Sequence, residues 1–149
     1  MQRGFTLTEL VVTIVIAGIL AAVALPRFFG DTGFEARQFR DETVAALRLA
    51  QKSAIAARRT VCASFAASQV DFRISSTQGA ADCSTGAALG NPSGGGDLSV
   101  SAPSGVSFSP VPAALVFDSA GRPGTAASLT VAGLESLPVT VEAETGYVH

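Results

Sequence analysis

Residues 5–25 read FTLTELVVTIVIAGILAAVAL, and this apolar run organises the rest of the chain. It is about 21 residues long, close to the length that an α-helix needs to cross a bilayer. Glu9 is its one charged residue, and twelve positions are Leu, Ile, Val or Phe. These twelve favour insertion by about 4–7 kcal/mol, whereas one acid near the end costs at most about 3 kcal/mol. The run therefore predicts a single-pass membrane helix, with Arg3 orienting the start of the chain towards the cytoplasm.

A secretory signal that is removed is the other interpretation of this run. Such a signal has a short apolar core followed by a cleavage site of small residues. Ala22 and Ala24 are compatible with such a site, although the run is longer than a usual signal core. Hydropathy alone leaves both interpretations open.

The residues at the start of the run, Arg3-Gly4-Phe5-Thr6-Leu7-Thr8-Glu9, resemble the class III signal of type IV pilins and type II secretion pseudopilins. The resemblance combines Gly4, the apolar Phe5, an acid four positions further on and Pro26 behind the run. It implies that a prepilin peptidase cuts after Gly4 and methylates the new N-terminus at Phe5. The apolar segment is then kept as the filament core. Thr8 stands where many members of the family have Ile.

Glu9 is a carboxylate in an apolar helix, which is costly and marks a functional candidate. A snorkelling acid at the helix end is the alternative. The family resemblance implies a partner, the cationic amine of Phe5 on a neighbouring subunit or on its own chain. Pairing would offset the desolvation of both groups and set the register of docking.

Gly18 and Pro26 are the two helix-weakening residues of this region. Pro26 removes a backbone donor, so a kink or local unwinding is expected there. The resemblance implies that the stretch from Gly18 to Pro26 can unwind during assembly. Close helix packing in the membrane is the alternative explanation for Gly18.

Residues 34–59 again have a helical period, after a weak spot at Gly30–Gly33. The apolar stripe consists of Phe39, Val44, Leu47, Ala50, Ala54 and Ile55. We expect one long helix, half anchor and half spine, whose stripe packs on a sheet. A membrane-surface helix fits less well, because acids interrupt the basic face.

The chain after Thr60 has the pattern of β-structure. A hairpin is predicted from Val61–Phe65 and Val70–Ile74, and residues 79–96 predict one long mobile loop. Further short strands are predicted at 98–101, 106–108, 114–117, 129–132, 138–143 and 146–148. The predicted fold is α+β, with a long N-terminal helix packed on an antiparallel sheet. The predicted division is a leader at 1–4, an anchor helix at 5–29 and a head domain at 30–149.

The two cysteines, Cys62 and Cys83, do not have the spacing of a metal site. In a domain exported across the membrane, a disulfide between them is the natural expectation. Two unpaired or buried thiols are the alternative. A bridge would join the first strand to the predicted loop.

Net charge is −2, but its distribution is uneven. Residues 1–59 hold eight Lys/Arg and five Asp/Glu, whereas residues 60–149 hold two and seven. The sequence has no nucleophile elbow and no phosphate-binding loop, and His149 is its one histidine. We therefore expect no enzyme activity, no cofactor and no metal. The stretch Asp118–Gly124 predicts a turn held by Asp118, with ligand binding by Arg122 as the alternative.

The C-terminal part resembles the GspH/FimT branch of minor pilins and pseudopilins. The matching features are a strand ending in Phe117, the Asp-x-x-Gly-Arg that follows and the closing residues 144–148; residues 24–29 also resemble MshC-like minor pilins. Some FimT proteins bind DNA through Gly-Arg-x-Arg, but Gly124 stands in place of the second Arg. With the acidic balance of residues 60–149, this makes DNA an unlikely partner.

The function expected from these resemblances is that of a minor type IV pilin, in or at the tip of a filament. Its partners would be other pilins or pseudopilins, the prepilin peptidase and the inner membrane, which it would leave for a periplasmic or extracellular filament. A GspH-type pseudopilin of a type II secretion system and a FimT-type DNA receptor are the alternatives. Neighbouring genes would separate the first two functions, and DNA binding by the head would identify the third.

The processing site makes the first testable prediction. Intact-mass measurement of the mature protein should show loss of Met1–Gly4 and the addition of one methyl group on Phe5. A mature chain that begins beyond Ala22 would instead identify a removed secretory signal and contradict the family resemblance.

Overall fold

The computed structural model describes residues 6–28 and 32–149. The chain divides into two compact units, Met1–Asp31 and Thr32–His149. The first unit contains helix α1, Leu7–Phe28. Of the predicted weak spot at Gly30–Gly33, Gly30 and Asp31 lie outside the described residues, whereas Thr32 and Gly33 are helical. The predicted continuity of one long helix across 29–31 also lies outside the described residues.

Helix α2, Thr32–Ala57, is the spine of the second unit. Its buried side chains recur at steps of three and four residues, as one face of a helix requires. They are Ala36, Phe39, Thr43, Val44, Ala46, Leu47, Ala50 and Ala54. Thr43 is tolerated in this stripe because its hydroxyl donates to the Phe39 carbonyl at 2.8 Å. The prediction for Ile55 is wrong: its side chain is 48% exposed and lies at the edge of the stripe beside Gly121.

The first sheet is built from β1 (Val61–Ala66), β2 (Gln69–Ile74), β3 (Ala87–Ala88), β4 (Ser99–Ser101) and β5 (Leu115–Phe117). Strands β1 and β2 form the predicted hairpin, in register from Val61↔Ile74 to Ala66↔Gln69. Strand β5 pairs with β1, and β3 and β4 share the other side of β2. All pairings are antiparallel, which confirms the predicted α+β class.

The prediction of one long loop at 79–96 is wrong, because β3 interrupts it. Leu89 and Cys83 are buried, and the Leu89 N–H donates to the Phe72 carbonyl. Cys83 also forms a disulfide with Cys62, as predicted. The segment is therefore attached to the first sheet by a covalent bond, a strand pairing and a buried side chain.

The second sheet consists of β6 (Ala127–Leu129) and β7 (Val139–Val141), extended by the chain end. Val148 bridges to Val141, and Thr140 and His149 exchange backbone hydrogen bonds at 2.8 and 2.9 Å. The strand predicted at 106–108 is reduced to one bridge, Phe108↔Val131. Phe108 also joins the core, with its ring 4.8 Å from that of Phe39.

Helix α2 holds the C-terminal region by polar side chains that donate to backbone carbonyls. Arg40 Nε donates to the Leu137 carbonyl at 2.9 Å, and Arg48 Nε donates to that of Val148 at 3.0 Å. Gln51 Nε2 donates to the carbonyls of Gly121 and Thr145, at 3.2 and 2.8 Å. The loops that contain Gly121 and Thr145 therefore bind the same side-chain amide, that of Gln51. These loops lie so close together that a Cβ at Gly146 would collide with the Gly121 carbonyl.

The disulfide makes a prediction for stability. Its cysteines are 21 positions apart, so it should stabilise the head by about 3 kcal/mol through restriction of the unfolded chain. Cys62→Ser should therefore lower the Tm of the head by about 10 °C. Reduction of the wild-type protein should lower the Tm equally and leave the Tm of Cys62→Ser unchanged. Equal Tm values for wild type and variant in oxidising buffer would contradict the prediction.

Candidate assembly site

The start of α1 is held by a local cap. Thr6 precedes the helix, its carbonyl accepts from the N–H groups of Glu9 and Leu10, and its hydroxyl lies 3.3 Å from the Glu9 N–H. The Glu9 carboxylate turns back towards the same hydroxyl, at 3.5 Å. The Thr-x-x-Glu spacing is that of a capping box, of which the bond from the Glu9 N–H to the Thr6 hydroxyl is present, and the helix dipole favours an acid in the first turn. The sequence analysis missed the role of Thr6, although the spacing was visible.

Helix α1 is apolar on every side, and its described side chains, at residues 7–22, are all exposed within the single chain. Leu7 is 80% exposed and Leu20 is 64% exposed. Thr13 fits this apolar surface because its hydroxyl donates to the Leu10 carbonyl at 2.8 Å. A continuous apolar surface of this size marks an interaction site.

Gly18 lies inside this surface and has open space around it. A Cβ at this position would meet nothing within 4 Å. Packing within the described part of the chain therefore gives no reason for a glycine there. Small residues allow close approach of a second helix, and both close packing and local unwinding stay predictions for Gly18.

The structure describes only some of the other predicted residues of the N-terminal segment. Gly4 and Phe5 lie outside the described residues. Backbone helix continues through Pro26 to Phe28, and unwinding between Gly18 and Pro26 during assembly stays a prediction. Within the described residues, no helix combines the length and the apolar character that crossing a membrane requires.

The predicted turn at 118–124 is confirmed. Asp118 Oδ1 accepts from the N–H groups of Ala120 and Arg122, and Gly121 has a φ of +76°. The Arg122 guanidinium pairs with Asp118 Oδ2 at 3.1 Å. Partial burial opposes ionisation of Asp118, but the hydrogen bonds and the charge of Arg122 outweigh it and lower the pKa of this carboxyl.

The Arg122 side chain is therefore bound to a carboxylate of its own loop. It lines a groove with Thr60, Ala80 and Val116, but its guanidinium is held by Asp118. The described residues contain no cluster of three or more His, Cys, Asp or Glu side chains that could hold a metal ion. The strongest candidate site is thus α1 and not the head.

Comparison with known proteins agrees with this location. Residues 1–25 match the family described as the prokaryotic N-terminal methylation motif. The chain is 34% identical over 77 residues to a fimbrial protein of Pseudomonas aeruginosa, covering 52% of this chain and 50% of that protein. It is 50% identical over 48 residues to the type IV narrow pilus major component PilA5 of Thermus thermophilus, covering 32% of this chain and 41% of that protein. No solved structure matches the chain.

The matched motif is one of N-terminal methylation, and the relatives are named as pilus or fimbrial proteins. The N-terminal part of the chain is therefore similar to proteins of the type IV pilin family. It spans about half the length of the curated relatives that it matches.

The Asp118 loop makes a prediction about pH. Because the folded pKa lies below the ordinary value of about 3.9, the charged carboxylate contributes stability above that value. This contribution is lost as the pH falls through the ordinary value towards the folded one. Asp118→Asn should lower the Tm of the head by a few degrees at pH 7. The Tm difference from wild type should shrink below about pH 4.

Asp97→Asn is the matched control, because no hydrogen bond to the Asp97 side chain occurs in the described part of the chain. The pKa values of Asp82 and Glu135 are also lowered, mainly by backbone N–H groups, and both acids remain in each variant. A Tm difference for Asp118→Asn that stays constant from pH 7 to pH 2.5 would contradict the assignment.

Proposed function

We propose that this protein is a structural subunit of a type IV pilus that assembles through α1. The observation that carries the proposal is an apolar helix whose described side chains, at residues 7–22, are exposed, with one carboxylate in its first turn. The sequence of residues 5–25 supports an inner-membrane anchor before assembly. The helix would then enter the filament core, and the head would be displayed in the periplasm or outside the cell.

The proposed mechanism begins with processing. The prepilin peptidase would remove Met1–Gly4 and so create a free amine on Phe5. The methylation motif at residues 1–25 supports this step. Glu9 presents an exposed carboxylate in the first turn of the helix. In the filament core, the amine of a neighbour would neutralise this carboxylate and so offset the cost of burying both charges.

We further propose that the protein has no catalytic role. The two relatives described above are named as a fimbrial protein and a pilus component. The polar groups of the Asp118 loop satisfy one another, which suits a structural turn better than a reacting centre.

The narrower proposal is that the subunit is a minor pilin, in or at the tip of the filament. Its support is the resemblance of residues 117–122 and 144–148 to the GspH/FimT branch. The copy number of the subunit in sheared filaments tests it, and a copy number that equals that of the most abundant subunit would exclude it. A pseudopilin role would be indicated by filaments that require the genes of a secretion system.

A DNA-receptor role finds less support. The Arg122 guanidinium is paired with Asp118, and Gly124 cannot supply the second cation. A gel-shift experiment at low salt on the purified protein is the direct test, because phosphate contacts are strongest there.

Glu9 provides the test of the assembly mechanism. Glu9→Ala should leave the Tm of the head unchanged and reduce incorporation into filaments by more than about 100-fold. The reason is that removing one partner of a buried ion pair costs about 3–5 kcal/mol. Glu9→Gln should behave in the same way, because it keeps the shape and removes the charge. Incorporation is measured as the amount of subunit in sheared filaments, relative to that in membranes.

Glu35→Gln is the matched control, because Glu35 is an exposed acid in the first turn of α2. It should enter filaments at the wild-type level. Wild-type incorporation of Glu9→Ala would show that docking does not depend on this carboxylate.

A further inference from the structure

The second sheet has a polar outer face that no other described part of the chain covers. Its inner side chains are buried and consist of Leu129, Val139, Val141 and Val148. The alternate positions carry Ser128, Thr140, Glu142, Tyr147 and His149, which are exposed or half-buried. This alternation is typical of an antiparallel sheet with one face buried and the other exposed to solvent.

Three of these residues form a compact surface, which we call the C-terminal platform: Glu142, Tyr147 and His149. The rings of Tyr147 and His149 are stacked, with centroids 5.3 Å apart and 16° between their planes. Glu142 Oε1 lies 3.2 Å from His149 Nε2. Tyr147 is 57% exposed, so most of its outer face is available for a contact.

The acids of the segment that carries the platform favour a cation. Residues 123–149 contain Glu135, Glu142 and Glu144 and no Lys or Arg, and the nearby guanidinium of Arg48 donates to the Val148 carbonyl. A guanidinium placed over an aromatic face and beside a carboxylate gains from both groups. The platform therefore fits an Arg side chain better than an anion or an apolar group.

The end of α2 presents two such side chains, Arg58 and Arg59, which we call the basic corner. Both are exposed, and neither forms a salt bridge within the described residues. The Arg59 N–H donates to the Ala54 carbonyl at 3.1 Å, and the Arg58 N–H donates to that of Ile55 at 3.3 Å. These two bonds form a Schellman motif that ends the helix.

Arg58 stands where this motif favours glycine. Its φ is +53°, the one positive φ among the described non-glycine residues. The helix dipole favours a cation near the C-terminus, but it gives no reason for a side chain at the left-handed position itself. Backbone strain of this kind is a starting point for a functional hypothesis.

We propose that the C-terminal platform of one subunit binds the basic corner of an adjoining copy of this chain. The two surfaces have opposite charge and lie on different elements of the head, so the contact is heterologous. A heterologous contact that does not close into a ring repeats as an open helical array, which is the symmetry of a filament. The proposal rests on the proposed function as a pilus subunit and not on the narrower minor-pilin proposal, since it needs at least two adjoining copies in one filament.

The variant Arg58→Gly distinguishes a role of Arg58 in subunit contact from a purely structural role. Removal of the left-handed strain should raise the Tm of the head, while loss of the cation should reduce filament incorporation by about 3- to 10-fold. A purely structural role would not lower incorporation while the Tm rises. Lys52→Ala, at an exposed cation outside the basic corner, should change incorporation little. Wild-type incorporation of Arg58→Gly would overturn the proposal.

A charge exchange identifies the partner as a second copy. Glu142→Lys should reduce incorporation, and Glu142→Lys combined with Arg58→Glu should restore it, because every adjoining pair again has opposite charges. Asp97→Lys, the same charge change at an exposed position on the first-sheet side of the head, should have no effect. Failure of the double variant to recover would overturn the proposal.

Cross-linking locates the contact. A benzoylphenylalanine at position 147 of the full chain, irradiated in filaments, should attach to the peptide that contains Arg58 and Arg59. A product with a different protein, or no product, would overturn this inference and leave the proposed function intact if Glu9→Ala still abolishes incorporation. A wild-type chain that never enters filaments would overturn both.

Discussion

The head depends on the packing of α2, which is attached to the rest of the domain in two physically different ways. Towards the first sheet it presents an apolar stripe that includes Phe39, Leu47 and Ala50, all fully buried. Towards the C-terminal region it presents Arg40 and Gln51, which donate to backbone carbonyls. The first attachment is non-directional and scales with buried area, whereas the second fixes individual loops at individual atoms.

These two attachments explain why some parts of the fold could be predicted from the sequence and others could not. The stripe of α2 and the alternation at Val61–Phe65 are local periodicities, and both predicted the element correctly. The Asp118 turn was also predictable, because an Asp side chain bonds its own backbone a few residues on. Strand β3 was not, since two alanines carry no alternation and pair only because the disulfide and Leu89 place them beside β2.

The candidate assembly site was predictable for a different reason. The apolar run and Glu9 are conspicuous in the sequence because Glu9 is the one charged residue of residues 5–25. By contrast, Arg58 is one of several arginines in the sequence. Only the backbone of the structure, with its positive φ at the end of α2, distinguishes it from Arg37 or Arg48. Sequence patterns report local preference, and positions that violate a preference become visible only in three dimensions.

The use of backbone carbonyls as acceptors has a consequence for the surface of the head. Arg48 binds the Val148 carbonyl and Gln51 binds that of Thr145, so neither bond depends on which side chains residues 145–149 carry outward. The inner side chain of Val148 is needed for the core, but Tyr147 and His149 project to the other face and contribute little burial. The outer face can therefore change its chemistry at small cost to the stability of the fold. A subunit that must match its neighbours gains from this separation, because the side chains available for contact are not those that hold the sheet in place.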